Sequence, residues 1–311
     1  MEDNPTESQS SRVERFLLAA LKKKSLDAYL RALGDIRTEV ALAGFPWSAS
    51  TPAQRDAFLA DVFVGRQEEG ESRQKCVLVV AALKKLSPGE KFPVASAVLQ
   101  VWAALSPPRQ APACPSEIAW AIAVLAFGAG QIDVALCIAL CFEGVLRVSE
   151  PLGLRGQDVL LGPGMVVLLL AETKTAIEQR VVIKDAVIAS WMRHFLTHCP
   201  AADDKPLLRC SYSKVMYWIK KCAGQLGFAD LKLTSHSFRR GGASHLMAKG
   251  WALADVMHYG RWASMSSAQL YLRLGEVHML RMRSVFSPDA WALVSRVASL
   301  RSQILQARVS R

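Results

Sequence analysis

Four prolines within ten residues, in the stretch 106–115 (SPPRQAPACP), divide the chain into two parts with different hydrophobic patterns. Proline fixes φ and removes a backbone donor, so neither a helix nor a central strand runs through such a segment. From Arg12 to Leu105 the apolar residues recur at helical spacing: Phe16, Leu17, Ala20 and Leu21, then Leu26, Tyr29, Leu30 and Leu33. Phe58, Leu59, Val62 and Phe63, and later Val77, Val80 and Leu83, repeat it. Ser25 and Thr51 stand where N-caps are expected, and Gly44 and Gly70 where helices stop. This part carries no strand pattern. It predicts a small all-helical domain over 12–105, preceded by a disordered leader at 1–11 and followed by a linker at 106–115.

The second domain, 116–311, is predicted to centre on two apolar helices at about 117–129 and 131–145. The period then changes. Val159–Leu161, Met165–Ala171 and Arg180–Ile183 are short runs rich in Val, Leu and Ile, separated by Gly-Pro-Gly and a polar turn. They predict a three-stranded antiparallel sheet. Helical patterning returns from Asp185 and ends in a long helix over 288–308, giving a mainly α fold with one small sheet (α+β). On that last helix Leu293, Val297, Leu300 and Ile304 make an apolar stripe, which either folds back on its own domain or packs on a partner.

Composition narrows the function. Hydrophobic residues make up 51% of the chain, which excludes a disordered tail. Lys and Arg outnumber Asp and Glu by 38 to 27, a balance that favours a polyanionic partner. The longest uncharged apolar stretch, Ile118–Gly130, is too short to span a bilayer and predicts a buried helix rather than a membrane segment. Met1 is followed by acidic and polar residues rather than a secretion signal. The seven cysteines are odd in number and form no CxxC; Cys137 and Cys141, one turn apart on an apolar face, read as core, and a reduced, intracellular compartment fits. Phosphate-loop, dinucleotide and zinc-protease motifs are missing from the sequence. His194, His198 and Cys199 share a predicted helix end, where histidines satisfy terminal carbonyls, so neither a metal nor a small-molecule cofactor is expected.

What stands out is a scattered set of cations with one tyrosine. GVLRVSEPLGL places Arg147 three residues before Glu150, AETKTAIEQRVVI puts Lys174 at a predicted hairpin turn, and TSHSFRRGGASHL holds His236 and Arg239 as HxxR. GRWASMSSAQLYLRL holds Trp262 and Tyr271. Alone, each has an ordinary explanation: Arg147 as a helix-end salt bridge with Glu143 or Glu150, Lys174 as a solvated turn lysine, the aromatics as packing. Their order and spacing decide otherwise. The set resembles the tyrosine recombinase (phage integrase) family, whose pattern runs Arg, Lys, His-x-x-Arg, His or Trp, then Tyr. Arg239 to Trp262 is 23 residues and Trp262 to Tyr271 is nine, both as in that family. The resemblance covers 117–274 and reaches the N-terminal domain, similar to the family's core-binding domain, only by architecture. Pro151 departs from the usual apolar helix former; with Ser149 as N-cap it falls in the first turn, where a missing N–H costs little.

The resemblance implies DNA cleavage and rejoining through a 3′-phosphotyrosyl bond. Such chemistry runs without a metal if guanidiniums neutralise the non-bridging phosphate oxygens, since each gives bidentate donors and stays charged. Arg147 and Arg239 take that role, and Tyr271 is the nucleophile. A phenol with a reference pKa of about 10 needs a proton acceptor, here His236. Lys174 protonates the leaving 5′ oxygen, Trp262 donates its indole N–H to phosphate, and Glu150 holds the frame.

Three basic clusters, Lys22, Lys23 and Lys24, Lys84 and Lys85, and Lys220 and Lys221, are ordinarily solvated faces. In a two-domain recombinase they grip the backbone of double-stranded DNA, with Arg240 also expected to face it. Exchange between two duplexes implies four protomers on DNA. The rivals are a type IB topoisomerase, which religates the same strand as a monomer, and a domesticated DNA-binding protein without catalysis. The protein is expected in the nucleus if eukaryotic and in the cytoplasm or nucleoid if bacterial or from a phage.

Overall fold

The computed structural model describes residues 16, 21, 23–106, 111–172, 177–199, 205–262, 264–265 and 286–304. The chain forms two compact units, 1–109 and 110–311. The leader expected at 1–11 lies outside the described residues.

The described part of the first unit is helical: α1 (Lys23–Leu42), α2 (Pro52–Glu68), α3 (Arg73–Leu86) and α4 (Pro93–Leu105). Leu59, Phe63, Val79, Leu99 and Trp102 form its core. Thr51 caps α2 as expected, its hydroxyl accepting from the Gln54 N–H at 3.3 Å. Ser25 is no cap, because α1 is already under way at Lys23. Gly44 and Gly70 follow helix ends at φ 60° and 75°, where a side chain would be strained. α4 has the apolar Phe92 at its cap position, so its first N–H groups need another acceptor. Asp56, buried in α2, supplies it: its carboxylate accepts from Val94 N at 2.8 Å and Ala95 N at 2.9 Å.

The second unit is built on α5 (Ser116–Gly128) and α6 (Ile132–Glu143), buried along nearly their whole length. Cys137 and Cys141 lie within α6 as core, and every described cysteine is free. The expected linker is shorter than 106–115: Ala113, Cys114 and Pro115 are buried, and Cys114 N donates to the Ser237 carbonyl at 2.9 Å. After the short α7 (Ser149–Gly153) come β1 (Val159–Gly162), β2 (Met165–Glu172) and β3 (Ile177–Ile183) in antiparallel order 1-2-3. Pairing extends β3 three residues ahead of its apolar run, to the Glu172–Ile177 pair. Helices α8 (Ala186–His198), α9 (Tyr212–Gln225), α10 (Ser235–Ala248), α11 (Leu253–Gly260) and α12 (Pro288–Ser299) follow among the described residues. At the end of α8, His198 Nδ1 lies 2.8 Å from the His194 carbonyl, the helix-end role expected of it. Among the described residues no helix is long and apolar enough to cross a membrane.

α12 packs against α5 of its own chain. The fully buried residue is Val294, one position round from the expected stripe, while Leu300 is 43% exposed. The helix gives way to a 3-10 turn at Leu300–Ser302, which breaks the register. Phe286 and Trp291 flank Phe228 with ring centroids 4.6 and 5.5 Å away, and Trp191 Nε1 donates to the Arg301 carbonyl at 3.1 Å. Deleting 287–311 is therefore expected to destabilise the second unit by at least ~2 kcal/mol, the burial of Val294 alone. Denaturant unfolding of the truncated chain checks this, and an unchanged midpoint counts against cis packing.

Candidate active site

α6 ends at Glu143, and Gly144 turns the chain where a Cβ would lie 2.9 Å from both the Leu140 carbonyl oxygen and Ile183 Cδ1. The next residue, Val145, is buried and left-handed at φ 48°, a conformation that costs a β-branched residue about 1–3 kcal/mol. The turn directs its carbonyl at two guanidiniums: Arg239 Nη1 donates at 2.7 Å and Arg261 Nη2 at 3.4 Å. Two residues on, Arg147 is tied to Glu150 twice. Its backbone N–H donates to Oε2 at 2.7 Å and its Nη1 to Oε1 at 3.0 Å. The N-cap of α7 is Val148 rather than Ser149, and Pro151 still falls in the first turn.

His236 and Arg239 lie one turn apart at the start of α10, on one face. Arg239 is buried, 3% exposed, and donates from Nη2 to the Gly260 carbonyl. The Trp262 ring covers its guanidinium at 4.6 Å, a cation–π contact made possible by Gly260, where a Cβ would meet Trp262 Cζ3 at 1.8 Å. α10 comes this close to the core because Gly241 and Gly242 lack side chains: a Cβ on either would lie 1.9 Å from a carbonyl oxygen, of Cys114 and Phe142 respectively.

Arg261 ends α11 in the left-handed region, φ 58°. Its side chain is buried, with Nη2 2.7 Å from Glu150 Oε2 and Nη1 donating to the Tyr259 carbonyl at 3.1 Å. The Tyr259 hydroxyl sits within donating distance of the Glu143 and Val182 carbonyls, at 3.0 and 3.2 Å, and burial pushes its pKa up. Glu150, 7% exposed, thus has three guanidiniums within 4 Å: Arg147 at 3.0 Å, Arg261 at 2.7 Å and Arg239 at 3.9 Å. One carboxylate among three cations leaves a surplus of positive charge. Burial lowers the Arg261 pKa and the Arg147 charge adds to that, while Glu150 opposes it. Burial first, and then the charges of Arg239, Arg240 and Arg147, lower the pKa of His236 as well. His236 keeps solvent access, and its lowered pKa favours the neutral imidazole. A neutral imidazole beside a positive cluster is a proton acceptor next to an anion site.

The structure thus brings Arg147, Glu150, His236, Arg239 and Trp262 to one place. Lys174 and Tyr271, with Lys22, lie outside the described residues. Arg240 is a correction: expected at the DNA surface, it is 3% exposed and donates from Nη1 to the Ala111 carbonyl. Lys23, Lys24, Lys84, Lys220 and Lys221 are exposed and Lys85 is half-buried, with Lys221 Nζ 4.4 Å from the Trp218 ring centroid. Arg261, Tyr259 and the Gly241–Gly242 pair were not singled out from sequence. Paired glycines inside a helical stretch signal a close approach; Arg261 carries no pattern of its own.

A family model described as the phage integrase family matches residues 119–278, just over half the chain. The tyrosine recombinase XerC of Methylobacterium sp. (strain 4-46) is 24% identical over 286 residues, covering 86% of this chain and 88% of the relative. XerC of Nitrobacter winogradskyi is 28% identical over 167 residues, half of each chain. Among solved structures, a post-cleavage complex of the XerH site-specific recombinase on a palindromic difH substrate matches with a TM-score of 0.62 at 17% identity. That match covers 89% of this chain and 84% of XerH. A lambda integrase tetramer bound to a Holliday junction matches with a TM-score of 0.57 at 15% identity, covering 84% and 75%. At such identities these structures establish a common fold, and with the family match spanning both arginines, the histidine and the tyrosine, the chain belongs to the phage integrase family of tyrosine recombinases.

Proposed function

We propose that the chain recombines double-stranded DNA at specific sites by transesterification. Arg147 and Arg239 bind the non-bridging oxygens of the scissile phosphate, and Tyr271 attacks phosphorus as His236 accepts its proton. A 3′-phosphotyrosyl bond forms and a 5′ oxygen leaves, protonated by Lys174. The 5′-hydroxyl of another strand then reverses the step, so bond energy is conserved without ATP. Charge that builds on the phosphorane meets donors already oriented and partly desolvated, which favours the transition state over the ground state. The observation that carries this reading is the convergence of Arg147 and Arg239 on one carboxylate, Glu150, with His236 near enough for both of their charges to lower its pKa. Trp262 stacks on Arg239 and holds that guanidinium in place.

The exposed lysines supply sequence-independent phosphate contacts, and exchange between two duplexes takes four protomers. The solved structures of XerH on difH and of the lambda integrase tetramer on a Holliday junction support a DNA partner, and the second supports the four-protomer assembly. The protein acts wherever its DNA lies: the bacterial cytoplasm or nucleoid, or a nucleus.

The test is covalent capture. Incubated with a randomised pool of nicked duplexes in EDTA, the chain is expected to form an SDS-resistant adduct with a selected sequence. Transfer of the captured strand to a second duplex marks a recombinase. Supercoil relaxation without transfer marks a topoisomerase, and binding without an adduct marks a non-catalytic relative.

Lys174→Ala is expected to slow cleavage of ordinary DNA by roughly 10²–10⁴-fold, the usual worth of a general acid. DNA with a 5′-bridging phosphorothiolate should be far less affected, because a thiolate leaves without a proton. Single-turnover cleavage of the two substrates checks this; equal losses remove Lys174 from the role.

A further inference from the structure

We propose that Arg261 is a positioning residue for the strand-cleavage step, holding Glu150 so that Arg239 stays turned toward the scissile phosphate; the inference rests on the recombinase reading above. Glu150 shares its two oxygens among three donors. Oε1 accepts from Arg147 Nη1 at 3.0 Å, while Oε2 accepts from the Arg147 backbone N–H and from Arg261 Nη2, each at 2.7 Å. Arg239 Nη1 stands 3.9 Å from that same Oε2, just beyond a hydrogen bond. It is held instead by the Val145 carbonyl at 2.7 Å. Arg261 therefore satisfies the oxygen that Arg239 would otherwise take, and it also donates to the Val145 carbonyl that orients Arg239.

The alternative arrangement is close at hand. Without the Arg261 guanidinium, Oε2 is a buried carboxylate oxygen with one backbone donor, and leaving such an acceptor short is costly. A movement of about 1 Å brings Arg239 Nη1 onto it at the usual charge-assisted distance of about 2.8 Å. That movement draws one of the two phosphate-binding guanidiniums onto Glu150, neutralising it in place. A displacement of this size in a catalytic group costs on the order of a hundredfold in rate. Arg261 also keeps the cluster positive: the carboxylate would cancel a larger share of the charge left by Arg147 and Arg239 alone.

The backbone argues that the position is built for this side chain. Arg261 is left-handed at φ 58°, a region that strains a non-glycine residue, at a helix end where glycine is the usual solution. Glycine there would relieve the strain but place no guanidinium beneath Glu150. Its neighbour Trp262 stacks on Arg239, so Arg261 and Trp262 act on the same guanidinium, one through Glu150 and Val145 and the other by stacking.

The experiment is single-turnover cleavage at saturating DNA, on the nicked duplex captured by the native chain, with DNA affinity read separately by gel shift. Arg261→Met is expected to lower the cleavage rate about a hundredfold and leave affinity within a few-fold. In a Glu150→Gln background the same change is expected to cost less than about tenfold, because the competing charge is gone and the two effects are coupled. Arg261→Lys, which keeps one cationic donor near Glu150, should recover part of the rate. Equal losses in the two backgrounds, or a Lys variant no better than Met, would make Arg261 a purely structural cap and overturn the proposal. If the Met variant does not fold, the Lys variant and its cycle with Glu150→Gln decide the matter. A native chain that cleaves normally beside an equally fast Arg261→Met overturns the positioning role alone; a native chain that forms no adduct overturns the functional reading and this inference with it.

Discussion

Tyr271→Phe is expected to abolish the covalent protein–DNA adduct completely while DNA affinity stays within a few-fold. The phenolic oxygen is the atom that bonds to phosphorus, and no other group in the proposed step replaces it. Its removal leaves the ring, the guanidiniums of Arg147 and Arg239, and the exposed lysines, which carry the electrostatic part of binding. Affinity and chemistry should therefore separate cleanly. Gel shift and SDS-resistant capture on the same nicked duplex check this, and an adduct formed by the Phe variant removes Tyr271 as nucleophile. The variant should also assemble on DNA, since assembly needs no cleavage.

Gly242→Ala is expected to be among the most destabilising single-methyl changes available in this chain. A Cβ at that position lies 1.9 Å from the Phe142 carbonyl oxygen and 2.9 Å from its carbon. Both are backbone atoms, so α10 or the end of α6 has to move. Overpacking of this kind typically costs up to about 3 kcal/mol, and a cost at that upper end lowers the melting temperature by roughly 6–12 °C for a unit of this size. The effect should reach the site as well, because Arg239 and His236 ride on α10 and Arg147 follows α6. Gly34→Ala is the control of opposite sign. Gly34 lies inside α1 with nothing within 4 Å of its would-be Cβ, so alanine should stabilise the first unit by about 0.5–1 kcal/mol. Thermal unfolding of both variants checks the pair, and a Gly242→Ala chain as stable as the native one contradicts the close approach described for α10.

The contrast between these glycines shows where sequence reading succeeds and where it stops. Period and punctuation were legible: the apolar runs at 117–129 and 159–183 became α5 and the sheet, and Thr51 and Gly44 mark helix ends as read. These features depend on neighbours in the chain. Ser25 failed as a cap because cap chemistry locates a helix start only when no helical residues precede it. On α12 the pattern gave the helix and three stripe residues that pack on the core, Leu293, Val297 and Ile304, but not its fully buried position, Val294, about 100° round from Leu293, since only packing chooses between them. Arg239 and Arg240 differ by the same angle, and one meets the Val145 carbonyl while the other turns to Ala111. The cation set was recognisable from its spacing. Arg261 was not, because its meaning lies in a carboxylate 111 residues earlier in the chain.

A tyrosine–DNA bond of defined polarity is the intermediate on which the proposed chemistry depends, and peptide mapping of the adduct detects it. The SDS-resistant adduct is digested with protease and nuclease, and the nucleotide-linked peptide is sequenced by mass spectrometry. The expected peptide contains Tyr271 joined to a 3′-phosphate, and the released strand bears a 5′-hydroxyl that a polynucleotide kinase labels directly. Attachment to a 5′-phosphate, or to a residue other than Tyr271, would contradict it.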